Sequence, residues 1–157
     1  MPLTSTELFY IAIGLLCVGA IFYRNAHLLS GRAGKAGGIE ILYYVTALAA
    51  LVIGWYFNFQ YLREYGAQAG WMHWTRLLFV NPASASGGQD LIIANLLIYP
   101  LWTIVDGRRC GMRSSWLYFF MSLLTSYAFA VALYLALRER QLRWNRAGQG
   151  AAAAAAI

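Results

Sequence analysis

One carboxylate in this sequence lies where charge is expensive. Asp90 sits inside a stretch, Ala83 to Val105, that holds no other charged residue. An ionised side chain at the centre of a membrane helix costs about 2.5–3.5 kcal/mol on insertion scales, so a carboxylate there needs a partner or a task. Asn58, Tyr134 and Arg138 fall near the ends of two other apolar stretches, and if the stretches alternate in direction these residues return to the depth of Asp90. Two chemistries are open to such a cluster. In one, hydrogen bonds among Asn58, Asp90, Tyr134 and Arg138 pin helices together, each contributing roughly 0.6 kcal/mol. In the other, Asp90 is the acid–base or ligand-binding group of a small membrane enzyme or carrier. Trp55, Tyr56 and Tyr99 would then offer aromatic faces to a cationic intermediate of an isoprenoid-like substrate. The structural reading outweighs the catalytic one. A single carboxylate specifies no reaction, and the same aromatics suit an interfacial belt.

The remaining candidates are weaker. The run Gly31-Arg32-Ala33-Gly34-Lys35-Ala36-Gly37-Gly38 resembles a nucleotide loop in glycine count alone, since a phosphate-binding Lys is followed by Ser or Thr and here Ala36 follows Lys35. His27 and His73 belong to opposite faces of a four-crossing chain and cannot share a haem. Cys17 lies mid-stretch and Cys110 in a turn, too far apart in depth for a disulfide, and neither has a metal-ligand spacing. Asp106 beside Arg108 and Arg109 reads as a charged turn at the membrane surface. No metal site and no cofactor is expected.

The elements that must position these residues are four apolar stretches, Leu8 to Tyr23, Ile41 to Leu62, Ala83 to Val105 and Trp116 to Leu137. With 61% hydrophobic and 11% charged residues in 157, the chain is a membrane protein and has no room for a separate soluble module. A helix crosses a hydrocarbon core of roughly 30 Å with about 20 apolar residues. Barrel strands would alternate apolar and polar residues, and Leu133-Tyr134-Leu135-Ala136-Leu137 does not. The net charge of +6 gathers at the ends of the stretches, which suits lipid phosphates better than nucleic acid. The first stretch has no basic residue before it and no small-residue cleavage site, so it reads as a retained helix.

Between the second and third stretches, Arg63 to Asn81 is too apolar for a solvated loop. Trp71, Trp74 and Leu78 recur at helical spacing, which predicts a short amphipathic helix at the interface. Asn81-Pro82 predicts a helix start, with Asn as cap and Pro at the first position. Ser84 and Gly88 make a small-residue face for close helix approach, and Pro100 predicts a kink.

Taken in order, "WYFNFQYLREYG", "LLFVNPASASGGQDLIIANLLIYPLW", "DGRRCGMRSSWLY" and "YLALRERQL" resemble an uncharacterised bacterial membrane family, domain of unknown function 2834. The likeness runs from about Tyr44 to Leu142 and rests on Tyr56-Phe57-Asn58, Asn81, Asp90, Asp106-Gly107-Arg108-Arg109 and Arg138-Glu139-Arg140. Asp106 stands where that family more commonly has Glu. The resemblance implies a compact helical membrane domain, in the bacterial inner membrane, and brings no activity with it. The N-terminal helix lies outside it.

The expected fold is therefore an all-α integral membrane protein of four transmembrane helices, with an interfacial helix between the second and third. Residues 1–39 form the first helix and a basic Gly-rich loop, 40–143 a three-helix membrane domain, and 144–157 a flexible Ala-rich tail. Four crossings place both termini on one side. Loop charges do not orient the chain, because six cations fall on each side. The first helix favours termini outside by the positive-inside rule, and the basic tail argues the reverse. The expected role is a non-enzymatic accessory or lipid-binding subunit. Its partners would be membrane lipids, other membrane helices or a hydrophobic small molecule, with no nucleic acid.

Overall fold

The computed structural model describes residues 4–154 and is helical throughout, with no strand among the described residues. Helix α1 spans Ser5–Arg24, α2 Gly38–Tyr65, α3 Trp71–Leu77, α4 Pro82–Ile93, α5 Tyr99–Cys110, α6 Leu117–Leu124 and α7 Tyr127–Ala154. Short 3-10 turns follow α1 and α2, and a π-helical segment, Ala94–Ile98, joins α4 to α5. Three helices are long and apolar enough to cross a membrane: Ser5–Arg24, Gly38–Gln68 and Pro82–Cys110.

Local chemistry sets the ends of these elements. Thr4 and Glu7 form a capping box at the start of α1, satisfying two amides that the helix leaves free. Asn81 caps α4 as the sequence predicts: its Oδ1 accepts from the Ser84 amide at 2.9 Å, and Pro82 follows. Gly66, at φ 50°, ends α2 in a conformation that other residues avoid. Pro100 does disturb its helix, through a widened turn just before it. The Tyr99 amide bonds to the Ala94 carbonyl five residues back. One extra residue in the turn is how a helix absorbs a missing donor without breaking.

The fourth apolar stretch is not the single long helix that was expected. Within Trp116 to Leu137 the chain breaks at Thr125, φ −125° and ψ −87°, and turns back. Tyr118 and Tyr134 would lie some 24 Å apart on a continuous helix, yet their ring centroids are 5.1 Å apart. Going in, α6 runs down α1: Ser114 accepts from Arg24 Nε at 3.0 Å and the Leu117 carbonyl lies 3.7 Å from Cys17 Sγ. Coming out, α7 runs up α2, from Ser126 beside Gly54 to Arg140 and Arg143 on Glu40. The two helices form a hairpin whose open end and exit share the face of the first connector.

Glycines receive the hairpin tip. A Cβ on Gly14 would meet Thr125 Cγ2 at 3.0 Å, and one on Gly54 would meet Ser126 Cβ at 2.8 Å. Gly14 is ~15 Å along α1 from Arg24 at 1.5 Å per residue, about midway between the helix ends. The core is the hairpin itself, with Tyr118, Met121, Ala130, Tyr134 and Leu137 fully buried. The three long helices around it keep most of their apolar surface outward. Residues 145–154 continue α7, as an alanine-rich run does well, so the expected flexible tail is helical as far as it is described.

Candidate functional site

A helix broken inside an apolar body must satisfy the backbone groups it frees. Thr125 Oγ1 bonds back to the Met121 carbonyl at 2.6 Å, and Ser126 Oγ accepts from the Phe129 amide at 3.4 Å, capping α7. The Thr125 carbonyl is met from outside the hairpin by Asn58 Nδ2 at 3.2 Å. On the other flank Ser122 Oγ donates to Asn95 Oδ1 at 2.7 Å, and Asn95 sits in the π segment that Pro100 provokes. The widened turn, the hairpin and α2 are thus joined by side-chain amides.

Because the hairpin stops midway, the far half of the bundle has one wall fewer. A cavity of about 410 Å³ fills the gap. Its roof is the tip, Thr125 and Ser126; its sides are Trp55, Asn58 and Asn95; Trp71 and Trp74 of α3 lie across its floor. The volume falls within the ~300–1,000 Å³ of small-molecule sites, which are mostly apolar with a few placed polar groups. Trp55 Nε1 is buried without a hydrogen-bond partner. The floor helix is tied to α2 where the Tyr61 hydroxyl accepts from the Gly70 amide at 3.0 Å and meets His73 Nδ1 at 3.0 Å, with His73 packed 4.6 Å from the Tyr65 ring.

The residues singled out by sequence do not form one cluster. Tyr134 and Arg138 come together, but around Asp106. The Tyr134 hydroxyl donates to Asp106 Oδ2 at 2.6 Å, and Arg138 grips both carboxylate oxygens, at 2.6 and 3.1 Å. A bidentate arginine clamp is among the stronger ion-pair geometries, and it explains why Asp106 is more than a charged turn. Asn58 belongs to the cavity. Asp90 is exposed, bonded by its neighbour Gln89, and is not part of the cavity wall. The inward-facing group of four therefore fails: the fold-back carries Tyr134 and Arg138 to the opposite end from the start of α4.

Two further carboxylates are buried by arginine. Glu40 takes Arg140 at 3.1 Å and also Arg143; Glu7 takes Arg63 at 2.7 Å. His27 and His73 sit at opposite ends, on Gln141 and Tyr61. Cys17 and Cys110 are both free thiols. Gly88, from the small-residue face, accepts Leu78, just after α3, while Ser84 stays exposed.

One family model matches residues 42–140, which is more than half of the chain. The chain belongs to that family, described as protein of unknown function DUF2834. The match runs from α2 through the hairpin to Arg140, so the cavity walls from α2 to α7 lie inside it while Tyr10 of α1 lies outside. No curated protein and no solved structure matches the chain.

Sequence reasoning missed Gly14, Gly54 and the Thr125-Ser126 break. The signal for the break was present: Ser122, Thr125 and Ser126 place three hydroxyls within five residues in the middle of an apolar run. Such side chains offer the backbone an alternative to the helix. Nothing local marks Gly14 or Gly54, because their role is to receive a segment more than 70 residues away.

Proposed function

We propose that the chain is a non-enzymatic, lipid-binding membrane protein that holds a hydrophobic molecule beneath the hairpin tip. The observation that carries this reading is the cavity itself, open, aromatic-walled and created by a hairpin that stops halfway. A ligand there would lie against Trp55, Trp71 and Trp74.

The floor helix α3 is assigned to the membrane interface, where Trp is favoured; its Trp71 and Met72 are exposed, as is Phe79 just after it. The same placement removes the difficulty with Asp90. The helix Pro82–Cys110 has 29 residues, or ~43 Å at 1.5 Å per residue, which exceeds a hydrocarbon core of about 30 Å. The polar start, Pro82 to Asp90, can stand in the headgroup layer with α3, and the apolar part begins at Leu91. An acid–base role for Asp90 draws no support from the geometry, since the carboxylate is outside the cavity.

The test is retention of co-purified lipid. Protein extracted in mild detergent, examined by native mass spectrometry, is expected to carry a hydrophobic molecule. Ala69→Trp and Leu91→Trp, which fill the cavity from its rim and side, should lose it while keeping the wild-type melting temperature. Equal retention by stable variants of both kinds would remove the cavity from consideration.

A further inference from the structure

The hairpin changes which charges share a face. With α6 and α7 going in and out on the same side, the first connector, the α5–α6 turn and the end of α7 are neighbours. The contacts say so directly: Asn25 Nδ2 donates to the Arg113 carbonyl at 3.1 Å, Arg140 Nε to the Leu28 carbonyl at 2.6 Å, and Asn145 Nδ2 to the Cys110 carbonyl at 2.8 Å. Ten of the chain's twelve cations lie at this end, against the carboxylates Glu40, Asp106 and Glu139. The other end holds Arg63 and Arg76 against Glu7, Glu64 and Asp90. The two faces carry +7 and −1, which together make the chain's +6. An even division of loop cations has become a split of ten to two.

The carboxylates on the basic face are already used. Glu40 is closed by Arg140 and Arg143, Asp106 by Arg138, and Glu139 lies 3.6 Å from Arg138. That leaves the exposed Arg24, the connector's Arg32 and Lys35, Arg108, Arg109 and Arg113 about the turn, and Arg146 on α7. Arg32 stacks over Trp144 at 4.1 Å, an aromatic beside a cation at the end of an apolar body. All of these exposed cations except Arg146 sit within a turn or two of large apolar residues that face outward: Tyr23, Leu29, Ile39, Val105 and Trp116. A ring of cations edged by such residues matches the headgroup layer of a leaflet.

We infer that the chain crosses the membrane three times and dips in once, so that its termini lie on opposite sides, and that the ten-cation face is a binding surface for anionic phospholipid headgroups on the cytoplasmic side. The positive-inside rule counts Lys and Arg in short loops near span ends, and ten against two leaves one orientation. The acidic opposite face, at −1, has no such attraction.

Two measurements on the full chain test this. Reporters active only inside or only outside the cytoplasm, fused in turn to each terminus, should give opposite readings, with the C-terminus cytoplasmic. The same reading from both stable fusions would overturn the crossing count, and a cytoplasmic N-terminus would overturn the orientation. For the surface, the protein is equilibrated in phosphatidylcholine vesicles with and without phosphatidylglycerol, extracted gently, and its retained lipid measured. Phosphatidylglycerol should be enriched over its share of the vesicle. The variant Arg108→Gln/Arg109→Gln/Arg113→Gln should bring that enrichment down towards the vesicle's own share at low salt. Arg76→Gln, on the other face, should leave it unchanged. If the triple variant fails to fold, Arg109→Gln alone must still lower the enrichment. Enrichment unaffected by either variant, or absent in the wild type, would overturn the surface.

Discussion

The two halves of this bundle are built from the same apolar composition and finish differently. The half beside the first connector is full. Five helices meet there, Tyr118, Tyr134 and Leu137 are fully buried, and Glu40 and Asp106 are each held by arginine. The other half has α1, α2 and the α4 side around a space of about 410 Å³, closed only by the seven residues of α3. The difference is one turn at Thr125-Ser126. Hydropathy measures what a segment prefers to touch, and a segment that returns touches the same surroundings as one that crosses. What decides between them is polar chemistry at the break and bare backbone on the helices that receive it.

The sharpest way to break the filled half is at Glu40. Its carboxylate is fully buried and answers two arginines that also tie α7 to the first connector. Glu40→Ala leaves Arg140 and Arg143 partly buried without their anion. A loss of about 3–5 kcal/mol is expected, as for other broken buried pairs, read as a fall in melting temperature in detergent. Glu7→Ala at the other end should cost less: its carboxylate is buried, but its one arginine, Arg63, is 40% exposed and regains water when the anion is removed, which leaves chiefly the capping box at α1, about 0.5–2 kcal/mol, to be lost. Equal losses at the two ends would mean that the halves do not differ in the way their packing indicates.

Next in size is the seat of the hairpin tip. Gly54→Leu forces a side chain into Ser126, and overpacking of this kind costs about 1–3 kcal/mol. It should also displace the cavity roof, so bound lipid is lost together with stability. Gly19→Leu, on the same kind of apolar helix but with nothing within 4 Å of its Cβ position, should leave both unchanged. The pair separates a specific seat from general intolerance of larger residues in these helices.

How much of this was legible follows from where the information lies. The first three stretches sit within Ser5–Arg24, Gly38–Gln68 and Pro82–Cys110, because apolar length and end charges are local properties. Asn81 as a cap and Pro100 as a disturbance were equally local. The fold-back was not, since Thr125 and Ser126 acquire meaning only against Gly14, Gly54 and Asn58. The misplaced cluster followed from that one error. With α7 read as an outgoing span, Tyr134 and Arg138 land at the Asp90 end; with α7 returning, they land on Asp106, whose charge the sequence reading had assigned to the adjacent Arg108 and Arg109. The even count of loop cations becomes a ten-to-two bias once α7 is taken as returning, and such a bias is what a short polytopic chain usually shows.

The smallest expected effect is at the residue that first drew notice. Asp90 is exposed and bonded only to Gln89 among the contacts of its carboxylate, so Asp90→Asn removes a charge without opening a buried pair. Surface substitutions of this kind fall within about 0.5 kcal/mol, and the melting temperature should scarcely move. Asp106→Asn is the contrast: it weakens the Arg138 clamp and the acceptor of the Tyr134 hydroxyl together, with an expected loss of about 1–3 kcal/mol. Lipid retention sharpens the comparison, because Asp90 lies outside the cavity wall and Asp90→Asn should hold the same molecule in the same amount. Were a fully folded Asp90→Asn protein to lose its lipid, or to fail a complementation assay that the wild type passes, the carboxylate would have a task that its place on the outside of α4 does not explain. The cavity would then have to be entered, or served, from the α4 side.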